Sequence, residues 1–269
     1  MTGNGFALRS AQGVPYYSCV ALEKVARIRH GFSTRAGGAE SARGNSLNLG
    51  LVPWDAPERV SENRSRFLAA LGLESARLAT LSQIHSDQVH IIEDAAAQRN
   101  RREGDALATR NPGVCLGVLV ADCFPILLAD PVNGAVAAIH SGWRGTAARI
   151  AAKTVEVMKA SFGSDPGQIL AAIGPGIRSC CFEVGIEVVQ LFADSYPGPA
   201  LARQSEDRPG KYLLNLSQGL RLQLAGAGLR PDHVFDLDVC TRCNPNEFFS
   251  YRVEGPGAGR QMAIIGIDD

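Results

Sequence analysis

Short, almost wholly apolar runs fill the middle of the chain, and amphipathic stretches with a helical period lie on both sides of them. Apolar positions spaced three and four apart predict a helix over 56–71, with Val60, Phe67, Leu68 and Leu71 on one face. Asp55 with Glu58 forms a capping-box-like start to it, and Pro57 suits its first turn. A second helix is expected over 145–162, with Ile150, Val157 and Met158 inward and Gly163 as its stop. A third runs from Glu183 to before Pro197, and a fourth starts at Asn215, capped with Gln218, and ends near Gly228. Strands are expected at 88–93, 114–121, 125–130, 134–139, 168–173, 233–238 and 261–267. Strands cluster in the middle and alternate with helices only later, so the pattern reads as α+β, a mixed sheet with helices.

The run GVCLGVLVADCFPILLA over 113–129 carries a single charge, Asp122. A spanning helix needs about 20 apolar residues and does not tolerate a mid-bilayer Asp near Pro125. Two buried strands broken at Asp122-Cys123 are expected instead. The N-terminus lacks an apolar h-region, which predicts a cytoplasmic, soluble protein without a membrane partner. With 27 basic and 27 acidic residues the formal charge is zero, and no basic excess points to nucleic acid. The 269 residues show no repeat or linker, so one domain over 1–269 is expected, with 1–29 its least defined segment. Arg35–Asn45, Arg99–Asp105 and Pro197–Gly210 read as surface loops. Seven cysteines without a secretion signal predict reduced thiols.

His85 stands just before a strand, His140 ends the apolar run GAVAAIH, and Cys123 lies between two apolar strands. Three such residues at strand ends are a possible His₂Cys zinc set with a fourth position open, although a cysteine between strands is also an ordinary small core residue. His90 and His233 read as surface residues, and His30 has no evident role. Cys240 and Cys243 form a lone CxxC; Cys180-Cys181 lacks the spacing of a second pair, so two plain thiols are expected. Arg35 and Arg144 both sit among glycines, where a guanidinium can meet an anion or serve a structural salt bridge.

The blocks HGFSTRAGG with SLNLG, SQIHS, GDALAT, VADCFPILLAD, AAIHSGWRG, IGPGIRSCCFEVG and FFSYR occur in the order of the laccase-domain, YfiH-like family, and the chain resembles it from about residue 30 to 267. The resemblance implies a single-domain layered sandwich of mixed sheets and helices, related to a cysteine-hydrolase-type fold. It implies a zinc site on His85, Cys123 and His140, which are then also the catalytic residues. The implied activity is phosphorolysis of adenosine, inosine, guanosine and methylthioadenosine, with deamination of adenosine. The partners are then a purine nucleoside and phosphate. Arg35 and Arg144 are the candidate phosphate contacts, and Asn48 and Tyr251 the candidate sugar or base contacts. Val253 stands where the family commonly has a second Arg. The family's older name implies a copper polyphenol oxidase, whose weak axial ligand would have to be Met158 or Met262. A third expectation is a cysteine hydrolase acting on a peptidoglycan precursor, with Cys123 as nucleophile and His140 or His85 as base. A zinc-braced binding module without activity is the fourth. The sequence sets no oligomeric state.

Overall fold

The computed structural model describes residues 5–40, 44, 46–93, 102–196 and 200–268. Parts of the three expected loops, at 41–43, 45, 99–101 and 197–199, lie outside the described residues.

Two six-stranded sheets form the centre. The first contains β1 (Phe6–Ala11), β2 (Val14–Cys19), β3 (Ile28–Ser33), β4 (Arg77–Ala79), β7 (Val114–Val120) and β15 (Gln261–Ile267), in the order β1-β2-β3-β15-β7-β4. The second contains β5 (Val89–Ile91), β6 (Ala106–Thr109), β8 (Phe124–Asp130), β9 (Ala135–Ser141), β10 (Leu170–Ile173) and β14 (Val234–Asp236), in the order β14-β10-β8-β9-β6-β5. A small third sheet joins β11 (Glu183–Val184), β12 (Ala202–Gln204) and β13 (Tyr212–Leu214). Pairing is mixed: β4–β7, β5–β6 and β10–β14 are parallel, and the remaining named pairs are antiparallel. The helices are α1 (Val20–Glu23), α2 (Pro57–Ala70), α3 (Trp143–Ala147), α4 (Ile150–Phe162), α5 (Ile186–Ser195), α6 (Leu216–Gly226) and α7 (Tyr251–Glu254). The fold class is α+β, as the pattern predicted.

The unbroken apolar runs follow from the layering. On β8, Leu127 and Ala129 pack between the two sheets, while Ile126 and Leu128 pack against α4 and α6. On β15, Ala263, Ile265 and Ile267 face the inter-sheet core, and Met262 and Ile264 lie under Phe67 and Leu71 at α2. Each central strand is therefore covered on both faces, and period-two alternation disappears from its sequence. The layers run α2, first sheet, second sheet, then α4, α5 and α6.

The expected break at Asp122-Cys123 is the point where the chain leaves β7 of the first sheet for β8 of the second. Three local expectations need correction. Asp55 does not cap α2: Ala56 is its N-cap with no side-chain bond, and the Asp55 carboxylate instead takes Asn48 and Arg59. The helix expected over 145–162 is two helices, because Arg149 adopts φ +64 between α3 and α4, while Gly163 ends α4 in the left-handed region as predicted. Glu183 opens a short strand, and the third helix starts only at Ile186. Asn215 does cap α6, its side chain accepting from Gln218 N at 3.1 Å. Within 1–29, residues 6–19 form a hairpin at the edge of the first sheet.

Candidate metal centre

Two loops and one strand end at the rim of the two sheets carry the site. His140 continues the β9 row of Val136 and Ala138, which faces the inter-sheet core. Cys123 sits in the crossover between the sheets, next to Asp122 with φ +86. His85 itself holds φ +60. For residues other than glycine this region costs about 1–3 kcal/mol and persists only where neighbours hold it. Asp122 is held from two sides: its carboxylate accepts from Thr241 Oγ1 at 2.6 Å and Arg252 N at 2.7 Å. His85 is held by Asp105, which is fully buried. The Asp105 carboxylate accepts from the backbone N–H groups of Ile84 (3.3 Å), His85 (3.0 Å) and Ser86 (2.6 Å), and from Ser86 Oγ at 2.7 Å.

The same carboxylate accepts from His140 Nδ1 at 2.8 Å. That bond holds a proton on Nδ1 and makes Nε2 the nitrogen that a metal would take, the arrangement that metal-binding histidines use. Cys123 Sγ lies 3.8 Å from His85 Nε2, and the two imidazole rings meet edge-on at 4.9 Å. The three donor atoms all fall within 4.8 Å of one another. Tetrahedral zinc, with Zn–N of about 2.0 Å and Zn–S of about 2.3 Å, separates such donors by about 3.6 Å. A side chain at Gly142 would fill this space, since its Cβ would lie 2.9 Å from both Cys123 Sγ and His85 Cδ2. Donor chemistry, spacing and the bare backbone at Gly142 all fit a three-ligand zinc ion with an open fourth position.

Charge in the site is mutually supported. Burial opposes a Cys123 thiolate, but the charge and hydrogen bond of His140, helped by His85, overcome it and bring the thiol down to about 6. Burial likewise opposes a charged His140; Cys123 and Asp105 outweigh it and push the imidazole up to about 9. Asp105, despite burial, is held down to about 2 by His140 and Ser86.

A cavity of about 620 Å³ opens over these residues. Leu51, Leu119, Ile177 and Phe182 form much of its apolar wall, and Tyr251, Arg252 and Arg260 its polar part. Of the expected substrate contacts, Tyr251 lines the cavity and is half-exposed. Asn48 lies buried one layer behind, its Oδ1 accepting from Arg260 N at 2.9 Å, so it positions an arginine of the wall. Arg35 and Arg144 are not among the lining residues. The Arg35 guanidinium pairs with Glu254 at 3.1 Å over the Phe249 ring, and Arg144, exposed, stacks on Trp143 at 4.3 Å. Met158 and Met262 are buried in the two outer cores, away from the cavity. His30 is buried and accepts from Cys19 N at 2.9 Å, while His90 Nε2 bonds Glu103 O at 2.7 Å. Cys180-Cys181 and Cys240/Cys243, expected to be unrelated, come together in space.

Sequence reasoning missed Asp105, Arg252 and Arg260. Asp105 had a signal: a carboxylate directly before a wholly buried strand, within the GDALAT block. Arg260 had none, because only Asn48 and the close pass beneath Gly50, whose Cβ would lie 2.5 Å from Arg260 Cγ, bring it to the wall.

A layered α+β sandwich with a His–Cys–His donor set at the rim of its sheets defines the class of protein. Residues 29–268 match the family described as multi-copper polyphenol oxidoreductase laccase, and the chain belongs to that family. It is 41% identical over 241 residues to a purine nucleoside phosphorylase of Deinococcus radiodurans, covering 89% of each chain. It is 37% identical over 237 residues to the purine nucleoside phosphorylase YfiH of Shigella flexneri, covering 87% of this chain and 91% of that one. The crystal structure of YlmD from Geobacillus stearothermophilus superposes with a TM-score of 0.89 at 33% identity, covering 99% of this chain and all of the other. Among the described residues, no helix is long and apolar enough to cross a membrane.

Proposed function

We propose that the chain is a zinc-dependent purine nucleoside phosphorylase acting at His85, Cys123 and His140. The observation that carries this reading is one cavity in which three metal-type donors share the wall with Arg252, Arg260, Phe182 and Tyr251. The names of the bacterial relatives support it. The substrates proposed are inosine, adenosine, guanosine and methylthioadenosine, with adenosine also deaminated.

In phosphorolysis a phosphate oxygen bonds to C1′ of the ribose as the C1′–N9 bond breaks. The purine leaves with the electron pair and takes up a proton, and a sugar 1-phosphate remains. His85, Cys123 and His140 would hold the zinc, which would supply Lewis acidity for both reactions. The chain supplies the rest. Arg260, whose guanidinium burial makes less basic than usual, offers a partly desolvated charge for the phosphate. Tyr251 and Phe182 present ring surface for the base. Asp105 fixes the proton on His140 Nδ1 and so the orientation of that ring. Leu51, Leu119 and Ile177 give the cavity an apolar side against which a nucleoside can pack.

The test is hypoxanthine release from inosine with and without phosphate, comparing wild type with Cys123→Ser. Phosphate-dependent release that the variant lacks is expected. Release without phosphate dependence, or none from folded wild type, would overturn the proposal.

A second reading has one observation in its favour: Asp105, His140 and Cys123 also form the chain of contacts of a cysteine nucleophile and its base. It requires that zinc removal create amide-hydrolase activity. If removal only exposes Cys123 to alkylation, that reading fails.

A further inference from the structure

Four cysteines outside the cavity converge on one point. Cys180 and Cys181 lie in the turn after β10, and Cys240 and Cys243 in the segment after β14. Their sulfur atoms all lie within 4.8 Å of one another, with Cys243 at 3.6 Å from Cys180 and 3.4 Å from Cys181. All four are free thiols. Disulfide sulfurs stand about 2.05 Å apart, whereas a tetrahedral Zn–S length of about 2.3 Å sets sulfur pairs about 3.8 Å apart. The observed spacing is that of ligands around a common centre.

The local backbone explains how adjacent cysteines serve together. Cys181 N and Phe182 N both donate to Arg178 O at 2.8 Å, and this tight turn directs both thiols to one side. Opposite them, the Cys240–Cys243 turn closes through Asn244 N on Cys240 O at 3.2 Å. N–H donors face two of the sulfurs: the backbone N of Arg178 donates to Cys240 Sγ at 3.4 Å, and the Arg242 guanidinium donates through Nη1 to Cys181 Sγ at 3.3 Å. Four thiolates on one divalent ion leave two excess negative charges, which such N–H donors offset.

We propose that Cys180, Cys181, Cys240 and Cys243 bind one zinc ion as a closed structural tetrathiolate, independent of the His85, Cys123, His140 set. The ion would tie together two walls of the cavity. Ile177 and Phe182 flank the first cysteine pair, and Tyr251 and Arg252 follow the second. Thr241, inside the CxxC turn, bonds Asp122 beside Cys123.

The experiment measures zinc per chain by elemental mass spectrometry on untagged Cys123→Ser protein after dialysis against a weak chelator. One zinc per chain should remain, and cobalt exchanged into it should show thiolate-to-cobalt charge-transfer bands. The double variant Cys180→Ser/Cys243→Ser, made in the Cys123→Ser background, should lose that ion and those bands. A separate readout does not depend on folding of a variant: in wild type, the four thiols should resist alkylation until a strong chelator is added. Zinc-free Cys123→Ser protein with thiols equally reactive in the presence and absence of chelator would overturn the proposal. Recovery of a disulfide-linked pair from anaerobically purified protein would overturn it too. Neither result bears on the nucleoside reading, which rests on the other donors.

Discussion

Replacing Asp105 with Asn changes one atom's chemistry at the point where the fold and the candidate metal site meet. Oδ1 of the carboxylate accepts from His85 N and His140 Nδ1, and Oδ2 accepts from Ile84 N, Ser86 N and Ser86 Oγ. An amide has one acceptor oxygen and one NH₂, so it serves only one of these two groups. If its oxygen faces Ser86, its NH₂ meets His140 Nδ1, and the imidazole must move its proton to Nε2, the nitrogen left for a metal. If it flips, the N–H groups of Ile84 and Ser86 lose their acceptor, and the left-handed turn at His85 loses its holder. One or two buried donors left unpaired cost about 2–4 kcal/mol of stability. Loss of the carboxylate behind a ligating histidine lowers zinc affinity about 10–100-fold. Denaturant unfolding of the metal-free protein measures the first quantity, and competition with a chromophoric chelator the second. Zinc affinity within about twofold of wild type, with stability changed by less than about 0.5 kcal/mol, would refute the reasoning.

Three further outcomes are expected. Gly142→Ala keeps a permitted backbone (φ −83) but places a Cβ against Cys123 Sγ and His85, so zinc affinity should fall at least about tenfold while the metal-free fold loses about 1–3 kcal/mol; an unaltered zinc titration would remove the assigned donor set. Burial lowers His30 from its ordinary 6.5 to about 4, so the stability it contributes is present above pH 6.5 and is lost as pH falls through 4, about 3 kcal/mol in all. His30→Gln should flatten that part of the pH–stability curve, and an identical slope in the variant would show that another group titrates. Arg260→Ala should raise the phosphate KM about tenfold or more, whereas Arg144→Ala, removing only a surface stack, should leave it within about twofold; the reverse order would return the phosphate contact to Arg144.

Much of the secondary structure is legible because the forces behind it are local. Val114–Val120, Phe124–Asp130 and Gln261–Ile267 read as strands since each is covered on both faces and keeps no polar side. The cap at Asn215 and the stop at Gly163 depend only on residues within a turn. The resemblance singled out His85, Cys123 and His140, and the fold places them within reach of one ion. Tertiary structure decided the rest. Asp55 reads as a cap by spacing, yet Asn48 and Arg59 claim its carboxylate. Asp105 reaches His140 across 35 residues, and Arg260 reaches the cavity only through Asn48 and the space at Gly50. The CxxC and CC pairs look unrelated along the chain because nothing local links them; the parallel pairing of β10 with β14 sets the turns that follow those two strands side by side. Periodicity records which face of an element is buried, a property of neighbouring residues. Which ends of distant strands meet is set by sheet pairing, which periodicity does not encode.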